Sequence, residues 1–230
     1  MTTAEGRVWF GTRVLPFRAG SASAAATADM PRWVVGVAFL VPSVLPVAWA
    51  IAAPLQPPAY SPMRQTVSQL SGYAATDRWI VTGALYIVGV AYVLAARGMA
   101  AASMPARTGL ALSGIAALGV ASFPEPVHGT NSAHAAFTAL GAVTLTAWPV
   151  ITAAQRNIVA AVGRMRSIAA IVVSIGLFAW TAIETRDGSA LGLAERLSGL
   201  QACWPLVVAL ALRRDLARAP QSRKPAIATY

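Results

Sequence analysis

Residues 79–96 read WIVTGALYIVGVAYVLAA, eighteen positions without a charged side chain. A helix of that length rises ~1.5 Å per residue and so covers roughly 27 Å, close to the ~30 Å of a bilayer's hydrocarbon core. A backbone crossing that layer has no water to bond to, so it must close its own hydrogen bonds. The stretch reads as a membrane-spanning helix.

Similar runs recur on both sides of it. Spans are expected at about 33–53, 79–96, 108–123, 132–154, 167–183 and 197–212. The expected fold class is all-α: a polytopic integral membrane protein, a six-transmembrane-helix bundle over 32–213. Basic tails at 1–31 and 214–230 flank it, the first disordered or lying on the membrane surface, the second disordered. The third span is short and rich in Gly109, Gly114 and Gly119, and small residues let helix backbones approach closely. It is expected to be a central helix. Composition agrees with membrane residence. Only 11% of residues are charged and 57% are hydrophobic, where a soluble domain carries about a quarter charged residues.

The net charge of +10 raises nucleic acid as a partner, but the arginines flank apolar runs and do not gather into one basic surface. That pattern sets membrane orientation. Fourteen of the eighteen Lys and Arg residues fall in the tails and the even-numbered loops, leaving Arg64, Arg78, Arg186 and Arg196 for the odd ones. The expectation is a cell-membrane protein with both termini cytoplasmic and loops 54–78, 124–131 and 184–196 extracytoplasmic. The bilayer is its partner, and nucleic acid is not. Oligomeric state is left open.

Acidic residues follow the opposite rule. Asp77, Glu125, Glu184, Asp187 and Glu195 lie in the odd loops, and so do both histidines. The segment 124–134, PEPVHGTNSAH, combines Glu125, His128 and His134, with Asn131 or Ser132 able to cap the fourth helix. An imidazole in a helix first turn beside a carboxylate suits proton transfer, so His128, His134 and Glu125 are the candidate catalytic residues. Ser68, Gln69, Asp77, Glu184 and Arg196 are candidate ligand-binding residues on the facing loops, for a lipid-like or small-molecule ligand at headgroup level. His128 and His134 are six apart, unlike the i, i+4 pair of a helical metal site, so no metal and no cofactor is expected.

A bland account competes with this one: charges near helix ends reach the interface at little cost, and Glu184, Arg186, Glu195 and Arg196 can pair among themselves as structural staples. On that account the protein is a structural or partner-binding membrane protein. A transporter is the weaker alternative, because no ionisable residue falls in the span cores. Trp49, Trp79 and Trp180 are expected at the outer boundary and Trp33 and Trp148 at the inner one. Trp204 and Cys203 are expected to pack inside the bundle.

The segments SQLSGYAATDRW (68–79), FPEPVHGTNSAH (123–134) and GLAERL (192–197), with the six-span layout, resemble an uncharacterised family of bacterial and archaeal membrane proteins, catalogued as domain of unknown function 998. The resemblance runs over roughly 33–213. It implies topology and no established reaction. A more distant similarity to eukaryotic six-span proteins linked with lipid handling is consistent with the layout.

Overall fold

A computed structural model describes residues 30–218, and every regular element among those residues is helical. In chain order the helices are α1 (Arg32–Ala52), α2 (Trp79–Gly98), α3 (Met104–Ser122), α4 (Ser132–Ala153), α5 (Arg156–Val162), α6 (Arg164–Asp187), α7 (Leu191–Ser198) and α8 (Cys203–Arg218). Five helices are long and apolar enough to cross a membrane: α1 extended through its last turn to Leu55, then α2, α3, α4 and α6. The chain is thus an all-helical bundle of multi-pass membrane type. Most of the two tails lies outside the described residues, though α8 continues as helix to Arg218, beyond the expected boundary at 213.

α3 packs between α2 and α4, and glycine is what lets it. A Cβ on Gly114 would stand 2.6 Å from the Gly89 carbonyl of α2, and one on Gly119 would enter the Phe137 ring of α4. The expected central helix is therefore the third. Pro42 and Pro46 sit inside α1 without ending it.

The segment expected as a sixth span, 197–212, is not one helix. After α7 the chain tightens into a 3-10 turn at Gly199–Ala202, and α8 starts at Cys203. Pro205 explains the break, since its ring lacks an N–H and would clash with the carbonyl four residues back, at Gln201. The Gln201 side chain ties this turn to its neighbours, accepting from Thr146 Oγ1 at 3.2 Å and donating to the Ser174 carbonyl at 3.5 Å. The path from Ala190 to Gln201 follows α6 backward, touching Glu184, then Thr181, then Ser174. It runs antiparallel to α6.

The main core gathers Val34, Met99, Ala106, Trp148, Ile158, Val208 and Leu212 at one end of the bundle and in its middle. Trp148 belongs here and not to an interfacial belt. It is 1% exposed, and its indole N–H donates to the Ala106 carbonyl at 2.8 Å. The expectation placed it at the boundary because it stands near a helix end in sequence, but α5 folds back and covers that end. Trp204 is buried as expected and donates to Thr152 Oγ1. Cys203 is exposed on the bundle's flank, because the turn before it rotates the helix face. A smaller cluster of Ala48, Ala52, Val67, Leu70, Val81 and Val120 closes the opposite end, where the polar loops lie.

Candidate functional site

The first polar loop, between α1 and α2, is drawn in over that end. Its helical turn Ser68–Ser71 buries Leu70 and Ser71, each at 1% exposure. Gly192 at the start of α7 admits it. A Cβ there would run into the Gln65 carbonyl and stand 2.6 Å from that of Pro62. On the other side the Tyr73 N–H donates to the Glu125 carbonyl at 2.9 Å. The loop is wedged between the 123–131 segment and α7.

Asn131 caps α4, as its residue type predicts. Its Oδ1 accepts from the N–H groups of Ala133 and His134, while its Nδ2 donates to the Pro124 carbonyl. The cap turns the 123–131 segment back on itself and aims His134 at Glu125. Imidazole Nε2 lies 3.3 Å from Glu125 Oε1, within ion-pair reach but off the line of a hydrogen bond. Ser68 Oγ donates to the same Oε1 at 3.1 Å.

His134 Nδ1 is 2.9 Å from the Phe123 carbonyl, which can only accept, so Nδ1 carries a hydrogen. Nε2 then faces a carboxylate oxygen, and two lone pairs would meet unless a proton stands between them. Protonation of the imidazole turns this contact into an ion pair, so the pair can hold one proton more than a neutral imidazole beside a bare carboxylate. Glu125 is the open member: its side chain is 31% exposed against 6% for His134. The imidazole beside it, helped by the Ser68 hydroxyl, keeps its carboxyl below the usual carboxylate range despite partial burial.

A second carboxylate enters from α7. Glu195 Oε2 accepts the Val67 N–H at 2.7 Å, one residue before Ser68. Burial pushes its carboxyl up to about 7, against the pull of that N–H and of the Arg196 charge. The two acids flank one turn of chain with opposite displacements, the arrangement by which one site holds a proton acceptor and a proton donor together. Arg196 points elsewhere. Its guanidinium donates to the carbonyls of Pro62, Gln65 and Gly192, each at 2.8 Å, and to the Tyr60 hydroxyl, and it lies over the Trp49 ring.

Of the candidates read from sequence, Ser68, Glu125 and His134 converge, with Arg196 bracing the loop that carries Ser68. The others stand apart. His128 is exposed. Gln69 is exposed at the turn. Asp77 is exposed in a left-handed conformation (φ 50°) before α2. Glu184 holds the start of α7 by accepting the Ala190 N–H at 2.7 Å and also accepts from Trp180 and Ser189. The expected pairing among Glu184, Arg186, Glu195 and Arg196 is replaced by bonds from each to backbone or hydroxyl groups, Arg186 excepted. Glu195 is the member that sequence reasoning left as a staple. Its only signal was its place in GLAERL, next to Arg196. Among the described residues no three of His, Cys, Asp and Glu gather as a metal shell would.

Two apolar grooves, one between α3 and α4 over Gly109 and one between α1 and α2 over Ala91, lie on the flanks and share no residue with this cluster.

A family model described as Protein of unknown function (DUF998) matches residues 40–213, a span that contains all three interlocked segments. No curated protein and no solved structure matches the chain.

Proposed function

This chain belongs to the DUF998 family, and on that premise we propose that it handles a lipid-like or small-molecule ligand at the cluster around Glu125. The observation carrying this is a difference in exposure: Glu125 opens to the surface while both of its partners, His134 and Ser68, stand buried behind it. A staple has no need of an open carboxylate backed by a buried proton. A ligand polar group reaching Glu125 meets a carboxylate that can accept a hydrogen bond and a proton that His134 can yield.

The chain in this proposal makes six passes through the cell membrane, the sixth from about Leu197 through α8. Both termini lie on the cytoplasmic side and the polar loops outside. The return path of 190–201 along α6 and the arginine distribution support this. His128→Cys and Asp187→Cys, each in a Cys203→Ser background, are expected to react with an impermeant maleimide on intact cells. Silence at both positions would reverse the orientation.

Thermal shift of the purified protein against a panel of lipids and headgroup analogues tests the site. Glu125→Gln and Ser68→Ala are expected to lower the melting temperature of the empty protein only modestly and to lose the shift that a ligand produces by mass action. One observation favours a second account, in which the polar end is purely structural: Arg196 gives most of its donors to backbone carbonyls of the first loop. Loss of melting temperature in Glu125→Gln, with any ligand shift intact, would establish that account.

A further inference from the structure

Arg78 stands at the last position before α2, and its guanidinium carbon lies 3.9 Å from the centroid of the Trp79 ring and 4.7 Å from that of Tyr73. Both rings are turned outward, at 68% and 58% exposure. Among the described residues nothing accepts a hydrogen bond from this guanidinium. Neighbouring Asp77 does not pair with it, and the one ion pair among those residues joins His134 to Glu125. Arg196, by contrast, spends both terminal nitrogens of its guanidinium on the Pro62 and Gln65 carbonyls and the Tyr60 hydroxyl. Arg78 has its face against aromatic carbon and its N–H edge unspent.

We propose that Arg78, braced by Tyr73 and Trp79, is a binding site for the phosphate of a lipid headgroup. Stacking on rings removes water from the guanidinium face and fixes its plane, so less freedom is lost when the forked edge takes two phosphate oxygens. The start of α2 adds to the attraction. No side chain caps it, so its positive end faces the same region. Trp79 opens an apolar helix of 20 residues, which sets the rings at headgroup depth, where phosphate is the abundant anion. Arg64, an exposed arginine of the same loop, stacks on no ring among the described residues, whereas Arg78 is half-buried between two.

The proposal rests on the reading of this end as a bilayer boundary, and it adds a ligand class to that reading. It does not depend on proton chemistry at Glu125. Tyr73 connects the two places through its N–H bond to the Glu125 carbonyl, so a phospholipid held by Arg78 would sit on the same braced loop as the cluster.

Native mass spectrometry of the full chain in detergent tests this with three probes: phosphatidylglycerol, a diacylglycerol with the same acyl chains, and inorganic phosphate. The wild type is expected to retain phosphatidylglycerol and not diacylglycerol. Arg78→Gln is expected to lower retention about tenfold, the size of one lost charge-assisted contact, with Arg78→Lys between the two. Arg64→Gln, which removes an equal charge from the same loop away from the two rings, is expected to retain the lipid as the wild type does, which separates this site from the general charge of the loop. Equal retention by wild type and Arg78→Gln, or equal retention of diacylglycerol, overturns the proposal. Displacement of the lipid by millimolar inorganic phosphate overturns the assignment to a lipid.

Discussion

The two ends of the bundle are built from different materials. At the Trp148 end, connections are tied by groups that do not titrate near neutral pH: the Ser103 N–H to Gln155, Asn157 to the Ala101 carbonyl, and the Arg107 guanidinium to the Ala96 carbonyl of α2. Beneath them lies the large apolar cluster. At the loop end the apolar cluster is small, and the chain is held by Glu195, Arg196 and the Glu125–His134 pair. The difference assigns tasks. An end closed by packing is insensitive to protons, whereas one closed by ionisable groups responds to pH.

The largest effect that would separate the two ends is expected from Trp148→Ala, which opens a cavity and removes the buried indole bond to the Ala106 carbonyl. It should cost about 3–5 kcal/mol, read by denaturant titration in micelles, with protease cutting near residue 103 and the polar loops still protected. Gly192→Ala is the matching test at the other end. The added methyl must displace the backbone at Pro62 and Gln65, costing about 1–3 kcal/mol. Limited proteolysis should then open the 56–78 segment while the Trp148 end stays closed; equal cutting at both ends would break the comparison.

A smaller, pH-dependent difference should come from the two glutamates. Glu195 has a folded-state pKa raised above 4.5 to about 7, so its ionisation opposes folding. Stability from this group is full below the unfolded value and falls as pH rises from about 4.5 to 7. Glu125 is displaced downward, so its contribution is present above about 4.5 and lost as pH drops through its folded value. Melting temperatures between pH 5 and 8 should therefore decline for the wild type and decline less steeply for Glu195→Gln. A wild-type curve that rises across this window would exclude Glu195 as the controlling group. The smallest effect belongs to His128→Ala, within about 0.5 kcal/mol, because that side chain lies in solvent. A change as large as that of Gly192→Ala would return His128 to the site.

Much of this was legible in the sequence, for identifiable reasons. Long uncharged runs carry their own instruction, since a helix across a bilayer must bond within itself; α1, α2, α3, α4 and α6 lie close to where hydropathy puts them. The Asn131 cap was readable because capping is local. The break at Gly199–Ala202 was less so. Pro205 announces it, yet proline is tolerated in many spans, as in α1. Trp148 was misplaced because belt and core tryptophans look alike until the neighbouring helix is known.

The candidate site divides along the same line. That Glu125, His134, Ser68 and Arg196 share an end follows from counting spans. That His134 faces Glu125, that Ser68 shares the same oxygen, and that His128 faces solvent follow from the direction of one capped turn and the path of one wedged loop. What the chain alone determined is its solvent and its helices, because burial of apolar side chains and closure of backbone hydrogen bonds are decided within each segment. Which polar side chains meet was decided by tertiary structure, because the Ser68–Glu125 and Val67–Glu195 contacts join positions 57 and 128 residues apart. The close approach that Gly192 permits brings α7 and its Glu195 against the first loop.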